Sequence, residues 1–133
     1  MKKFISVYTL AIAFLLIGIF TSCEKKEAFK KELQSGGYKA VITSDQPPHV
    51  GINIWKIKIY GPDGKLLTGA KVSVNGYMPP MPGMPEMSFD YPVEDKGSYY
   101  ESKVNLSMGG TWQMTIKAEK DGNVATFKFG FNL

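Results

Sequence analysis

The stretch Tyr100–Leu133, YESKVNLSMGGTWQMTIKAEKDGNVATFKFGFNL, decides the fold class. Tyr100, Ser102, Val104, Leu106 and Met108 fall on one side of an extended chain, with Glu101, Lys103, Asn105 and Ser107 on the other. After Gly109-Gly110, Trp112, Met114, Ile116 and Ala118 alternate with Gln113, Thr115, Lys117 and Glu119. Lys120-Asp121-Gly122-Asn123 is a two-residue hairpin signal. Ala125, Phe127, Phe129 and Phe131 then alternate with polar neighbours. A period of two with one apolar face describes antiparallel strands that bury one side.

Working outward, the same signature recurs toward the N-terminus. Phe89, Tyr91 and Val93 alternate up to Asp95-Lys96-Gly97, and Ala70, Val72 and Val74 up to Asn75-Gly76. Between Val50 and Tyr60 the apolar set changes parity: Val50, Ile52 and Ile54 are even, whereas Trp55, Ile57 and Ile59 are odd. Such a change predicts a bulge near Ile54-Trp55, or burial on both faces at one end. Tyr38, Ala40 and Ile42 form the first strand, closed by Pro47-Pro48. About seven short strands with one buried face each predict an all-β chain, an antiparallel β-sandwich of immunoglobulin-like type spanning 38–133.

The N-terminus carries an address. Met1-Lys2-Lys3 is basic, the run Phe4–Phe20 is apolar, and Phe20-Thr21-Ser22-Cys23 ends it. That is the layout of a secretory signal peptide. The alternative, a transmembrane helix, needs ~20 apolar residues, slightly more than the run supplies. Cys23 is the only cysteine, so no disulfide can form within the chain. Thr21-Ser22-Cys23 resembles a bacterial lipobox, with Phe20 where leucine is usual. The expectation is a leader over 1–22 and a lipid on Cys23, which anchors the chain stably. Glu24 rather than aspartate follows, which by resemblance to proteobacterial sorting implies the outer membrane, facing the periplasm. Residues 23–37, containing EKKEAFKKELQ, read as the lipidated cysteine and a charged linker, a solvated tether or frayed helix.

Charge excludes one class of partner. The formal net charge of +4 falls to about +2 once Lys2 and Lys3 leave with the leader, too little to indicate a polyanion. Every cation is lysine, so bidentate guanidinium contacts to phosphate or guanine are absent and no nucleic-acid partner is expected. An enzyme is not expected either. His49 is the single histidine, and no base–nucleophile pair, zinc cluster or phosphate loop accompanies it.

The unusual segment is Met78-Pro79-Pro80-Met81-Pro82-Gly83-Met84-Pro85-Glu86-Met87. Methionines at every third position share one edge of a polyproline II chain, ~9 Å apart. Pro82-Gly83 is the central pair of a type II turn, which would bring the α-carbons of Met81 and Met84 within ~7 Å. Thioethers are soft and neutral and select Cu(I) over hard ions. A third donor would come from His49 or Met108. The candidate ligand set is Met78, Met81, Met84, Met87, His49 and Met108. Against it stands methionine's ordinary use as an adaptable filler of cores and contact surfaces.

In order along the chain, Gly51-Ile52-Asn53, Pro62-Asp63-Gly64, Leu67-Thr68-Gly69-Ala70-Lys71-Val72, the Met-Pro loop, Gly97-Ser98-Tyr99 and Met108-Gly109-Gly110-Thr111-Trp112 resemble the YtkA-like domain, over roughly 37–131. That domain is similar to the periplasmic part of FixH proteins. The resemblance implies an immunoglobulin-like sandwich in the cell envelope. FixH proteins are associated with assembly of copper-dependent oxidases. They are held by a transmembrane helix, from which the lipobox-like ending sets this chain apart. Two functions are therefore expected: an envelope interaction module accessory to a larger complex, or a copper-handling protein using the Met-Pro loop.

Overall fold

The computed structural model describes residues 28–133. The leader 1–22 and Cys23 lie outside them. Nine strands follow in order: β1 Phe29–Ser35, β2 Tyr38–Ser44, β3 Gly51–Tyr60, β4 Lys71–Met78, β5 Met87–Tyr91, β6 Val93–Asp95, β7 Tyr100–Leu106, β8 Thr111–Lys120 and β9 Asn123–Asn132. One sheet has the order β1-β2-β3-β7-β6 and the other β5-β4-β8-β9, with every pairing antiparallel. Leaving β1 aside, the central pairs β3·β7 and β4·β8 and their hairpin neighbours reproduce the immunoglobulin arrangement of two facing sheets.

The alternation drives this packing. Ala40, Ile42, Trp55, Ile57, Ile59, Tyr100, Val104 and Leu106 point inward from the first sheet; Val74, Met78, Trp112, Met114, Ile116, Ala118, Ala125 and Phe127 do so from the second. Each large side chain removed from water contributes roughly 1.5–3 kcal/mol. Trp55 sits among Phe29, Phe129 and Phe131, with ring centroids 5.9, 5.7 and 6.2 Å away. These rings come from β1, β3 and β9 and join the two sheets along one side. Trp112 occupies the other side, 6.1 Å from Phe89. At the β8–β9 turn Asp121 and Gly122 have φ of 53° and 79°, as a type I′ hairpin requires.

Four local expectations are revised. First, the linker read over 23–37 is not all linker. Phe29–Ser35 is a strand, paired with β2 from Phe29↔Ser44 to Ser35↔Tyr38. Phe29 and Leu33 pack on the core, and the charged residues between them suit an outer edge. Glu32 lies 3.5 Å from both Lys39 and Lys30; Lys39, then Lys30, holds its carboxyl below the usual range. Second, β4 does not end at Asn75-Gly76 but runs to Met78. Gly76 is there because the Tyr91 ring lies across it: a β-carbon would fall 2.8 Å from that ring. Third, Phe89 to Val93 is not one strand. Pro92 cannot donate to a ladder, so the chain leaves the second sheet at Tyr91 and joins the first at Val93. The Pro92 carbonyl accepts a 2.9 Å hydrogen bond from the buried Ser102 hydroxyl.

Fourth, no bulge interrupts β3. Its register with β7 runs unbroken from Gly51↔Leu106 to Ile57↔Tyr100. The odd positions Asn53, Trp55, Ile57 and Ile59 all point inward, leaving Ile52 and Ile54 outside. Asn53 makes this affordable. The two hydrogens of its Nδ2 are shared among the carbonyls of His49 (2.8 Å), Gly51 (3.0 Å) and Val104 (3.2 Å), and its Oδ1 accepts from the His49 N–H (3.1 Å). A second buried polar group acts similarly. The Tyr100 hydroxyl accepts from the Ala70 N–H at 2.9 Å and donates to the Leu67 carbonyl at 3.2 Å.

The parity of β3 can be tested directly. Asn53→Ala should lower the unfolding free energy by about 1–3 kcal/mol, because buried backbone groups lose their partner. Ile52→Ser and Ile54→Ser should each stay within about 0.5 kcal/mol of the parent. Urea denaturation checks both, and the reverse order would restore the bulge.

Candidate functional site

The topology divides the loops between two ends of the sandwich. One end carries the β1–β2, β3–β4, β6–β7 and β8–β9 turns. The other carries the β2–β3 loop (45–50), the β4–β5 loop (79–86) and the β7–β8 loop (107–110). The pairings Phe29↔Ser44, Gly51↔Leu106, Met78↔Met87 and Thr111↔Asn132 place the start of β1 and the end of β9 at this second end as well. His49, the Met-Pro loop and Met108 therefore share one end of the molecule.

Within the Met-Pro loop, the expected turn is present. The Met81 N–H donates to the Met84 carbonyl at 2.9 Å, and the Met84 N–H to the Met81 carbonyl at 2.8 Å. Gly83 has φ of 82°, the value that the third position of a type II turn needs and that glycine adopts freely. The loop is thus a miniature hairpin whose tip carries two methionines on opposed strands. Its base is Met78↔Met87, the last pair of the β4–β5 ladder. A further contact secures one flank: the Tyr77 hydroxyl donates to Glu86 Oε2 at 2.8 Å. That hydrogen bond, with the nearby carboxylate charge, holds the phenol proton and raises the Tyr77 pKa.

The methionines differ in exposure. Met78 is buried, Met84 and Met87 are half-buried, and Met81 is 37% exposed. The Cε atoms of Met78 and Met81 approach the same spot above Gly110, 2.9 and 3.8 Å from where a β-carbon would stand there. Gly110 in turn exchanges two backbone hydrogen bonds with Leu133, of 3.0 and 2.9 Å. Met108 packs against the core, and its carbonyl accepts the Trp112 indole N–H at 3.0 Å. The structure therefore brings Met78 and Met81 together over Gly110, sets Met84 opposite Met81, and keeps Met87 beside Met78.

His49 is at the same end but faces elsewhere. Its Nδ1 lies 3.0 Å from the Pro47 carbonyl. Its side chain lines a groove of about 330 Å³ on the outside of the first sheet, with Thr43, Asp45, Gln46, Ile52, Ile54 and Lys56 among its neighbours. Among the described residues, no three His, Cys, Asp or Glu side chains converge on one point. The residues that shape this end but escaped sequence reasoning are Asn53, Tyr77, Glu86 and Gly110. Asn53 was legible only as a polar residue inside an apolar strand. Gly110 was legible as a turn glycine, without the methionines that rest on it.

The family model described as YtkA-like matches residues 32–117. No curated protein matches the chain. Among solved structures, FetP of uropathogenic E. coli strain F11 is similar at 9% identity, with a TM-score of 0.43 over 79% of this chain and 97% of that one.

Gly110 provides the test of the site's construction. Gly110→Ala places a methyl where Met78 now lies, so the Met78 side chain must move. The substitution should cost about 1–3 kcal/mol as local overpacking. In NMR spectra the Met78 and Met81 methyl resonances should shift together. Unmoved methyl signals would separate Gly110 from the methionines.

Proposed function

Since the chain belongs to the YtkA-like family, we propose that it is a non-catalytic envelope protein, lipid-anchored at Cys23, whose sandwich presents a methionine-rich binding end to a partner in an envelope complex. What carries this reading is the collection of three loops and both ends of the described chain on one side of the sandwich, with exposed sulfur and apolar surface at its tip. Methionine side chains suit such a surface because they adapt in shape at small cost. The prolines of the Met-Pro loop reduce the entropy lost when a partner orders it. The proposed site of attachment is the outer membrane, facing the periplasm, which Glu24 after Cys23 favours by resemblance to proteobacterial sorting. No nucleic acid enters this reading.

A second reading rests on its own observation. Met81 and Met84 are held opposite each other by two short backbone hydrogen bonds, with the Met78 methyl adjoining Met81. Two accessible thioethers in a rigid turn are the beginning of a Cu(I) site, and they need lose no proton to bind. Met78, whose methyl meets that of Met81 above Gly110, is better placed than His49 to add a further donor. The His49 ring lines the outer groove instead.

Two experiments check these readings. Cys23→Ser should move the protein from the membrane fraction to the soluble fraction and remove the acyl mass from the mature chain. Retention in the membrane without acylation would replace the lipid anchor with an uncleaved apolar segment. For copper, the double substitution Met81→Ile with Met84→Ile keeps bulk and removes sulfur. It should abolish Cu(I) retention against a weak chelator while changing stability by less than about 1.5 kcal/mol. Parent protein that retains no Cu(I) would leave partner binding as the surviving function.

A further inference from the structure

The described residues expose six large hydrophobic side chains: Val50 (54%), Ile52 (63%), Ile54 (41%), Met81 (37%), Leu133 (36%) and Val124 (58%). Five of them lie at the Met-loop end or on the first turn-length of β3 leading from it; Val124, beside the β8–β9 turn, is at the opposite end. The charge distribution runs the other way. The three loops of the Met-loop end contain no lysine, and their ionisable side chains are Asp45, His49 and Glu86, the last engaged by Tyr77. The turns of the far end carry Asp63, Lys65, Lys96 and Asp121, with Asp95 closing β6 beside them. The loops of one end are thus apolar, with Lys30 and Lys31 on β1 and Lys103 opposite Ile54 as the cations beside them, and the turns of the other end are charged.

Covalent reach says which end meets the membrane. β1 begins with Phe29, whose partner Ser44 adjoins the β2–β3 loop, so the chain enters the sandwich at the apolar end. Cys23 precedes Phe29 by six residues, a tether of at most ~20 Å at ~3.3–3.6 Å per residue. The ten residues of β3 extend ~33 Å. The tether is therefore shorter than the sandwich is long, and the far end is held away from the anchoring lipid. Lys30 and Lys31, at the entry point, match anionic headgroups.

We infer that the sandwich stands end-on against the lipid bilayer, with Val50, Ile52 and Ile54 seated at the headgroup–acyl boundary and Met81 and Leu133 beside them. Interfacial amphipathic helices bury their apolar face ~5–10 Å into that boundary, a depth that spans the ~10 Å between Gly51 and Ile54, three residues along β3. The inference rests on the reading of Cys23 as the lipid anchor and gives the anchored domain its orientation. The binding end proposed above then works at the membrane surface rather than in the open periplasm.

Depth-dependent quenching tests it in the full acylated protein. Ile52→Cys, Met81→Cys and Val124→Cys each add one reactive thiol, because Cys23 is consumed by lipid. Each variant is labelled with a small fluorophore and reconstituted into vesicles of phosphatidylethanolamine with a minority of phosphatidylglycerol. Nitroxide on the shallow acyl carbons should quench the labels at positions 52 and 81 and spare the label at 124. Adding Ile54→Asp to the Met81→Cys protein should reduce quenching at 81 while the acyl mass is unchanged. An acylated chain whose label at 52 is no more quenched than that at 124 overturns the inference alone and leaves the apolar end to a protein partner. A chain recovered without acyl mass and free of vesicles overturns the anchor, and the orientation with it.

Discussion

The burial of the Asn53 carboxamide is the constraint from which much of this molecule follows. A strand has a period of two, so one inward position fixes all the others. With Asn53 inside, Trp55, Ile57 and Ile59 are inside too, and Ile52 and Ile54 must face out. An amide is costly to bury without partners. Here every hydrogen-bonding atom of the side chain has one, and three of the four bonds reach back to His49 and Gly51. The same side chain thus shapes the β2–β3 loop, aligns β3 with Val104 of β7 and creates the exposed apolar stripe. An aliphatic residue at this position would fill the space without fixing the loop.

The second determinant is topological. An immunoglobulin-type arrangement sorts its loops into two sets by strand direction alone. The methionine turn, the His49 loop and the Met108 loop fall into one set although they are far apart in sequence. Gly110 makes the grouping physical. It lacks a side chain where Met78 and Met81 come to rest, and its backbone fastens Leu133. Proximity of ends is not identity of site, however. The methionines gather over Gly110, while the His49 ring turns to the outer face of the first sheet.

Much of the fold was legible in the sequence because its main signal is local. Alternation in β7, β8 and β9 and the Asp121-Gly122 turn are written in neighbouring residues, and the structure follows them closely. The failures share a physical cause: the deciding partner was distant. β1 buries only part of one face, so Phe29 and Leu33 looked like strays in a charged tether until β2 and β9 supplied their neighbours. Gly76 read as a turn because the Tyr91 ring that excludes a side chain there lies on another strand. The apolar even positions of β3 suggested a bulge because nothing local shows that Asn53 has four hydrogen bonds waiting for it. Of the candidate site, the Pro82-Gly83 turn was legible from its own chemistry, whereas the convergence of Met78 and Met81 on Gly110 depends on how β4 meets β8.

The aromatic cluster around Trp55 has a temporal consequence. Phe29 belongs to the first strand of the sandwich and Phe129 and Phe131 to the last, yet their rings share one indole. A chain made from its N-terminus must hold Phe29 and Trp55 in waiting until β9 emerges. The local β8–β9 hairpin can form early, but the seam between the sheets closes only when β9 docks, as expected where distant contacts dominate. Loss of the Phe129 and Phe131 rings would therefore leave β1 without its partners across the sheets, making this seam a checkpoint on the arrival of β9.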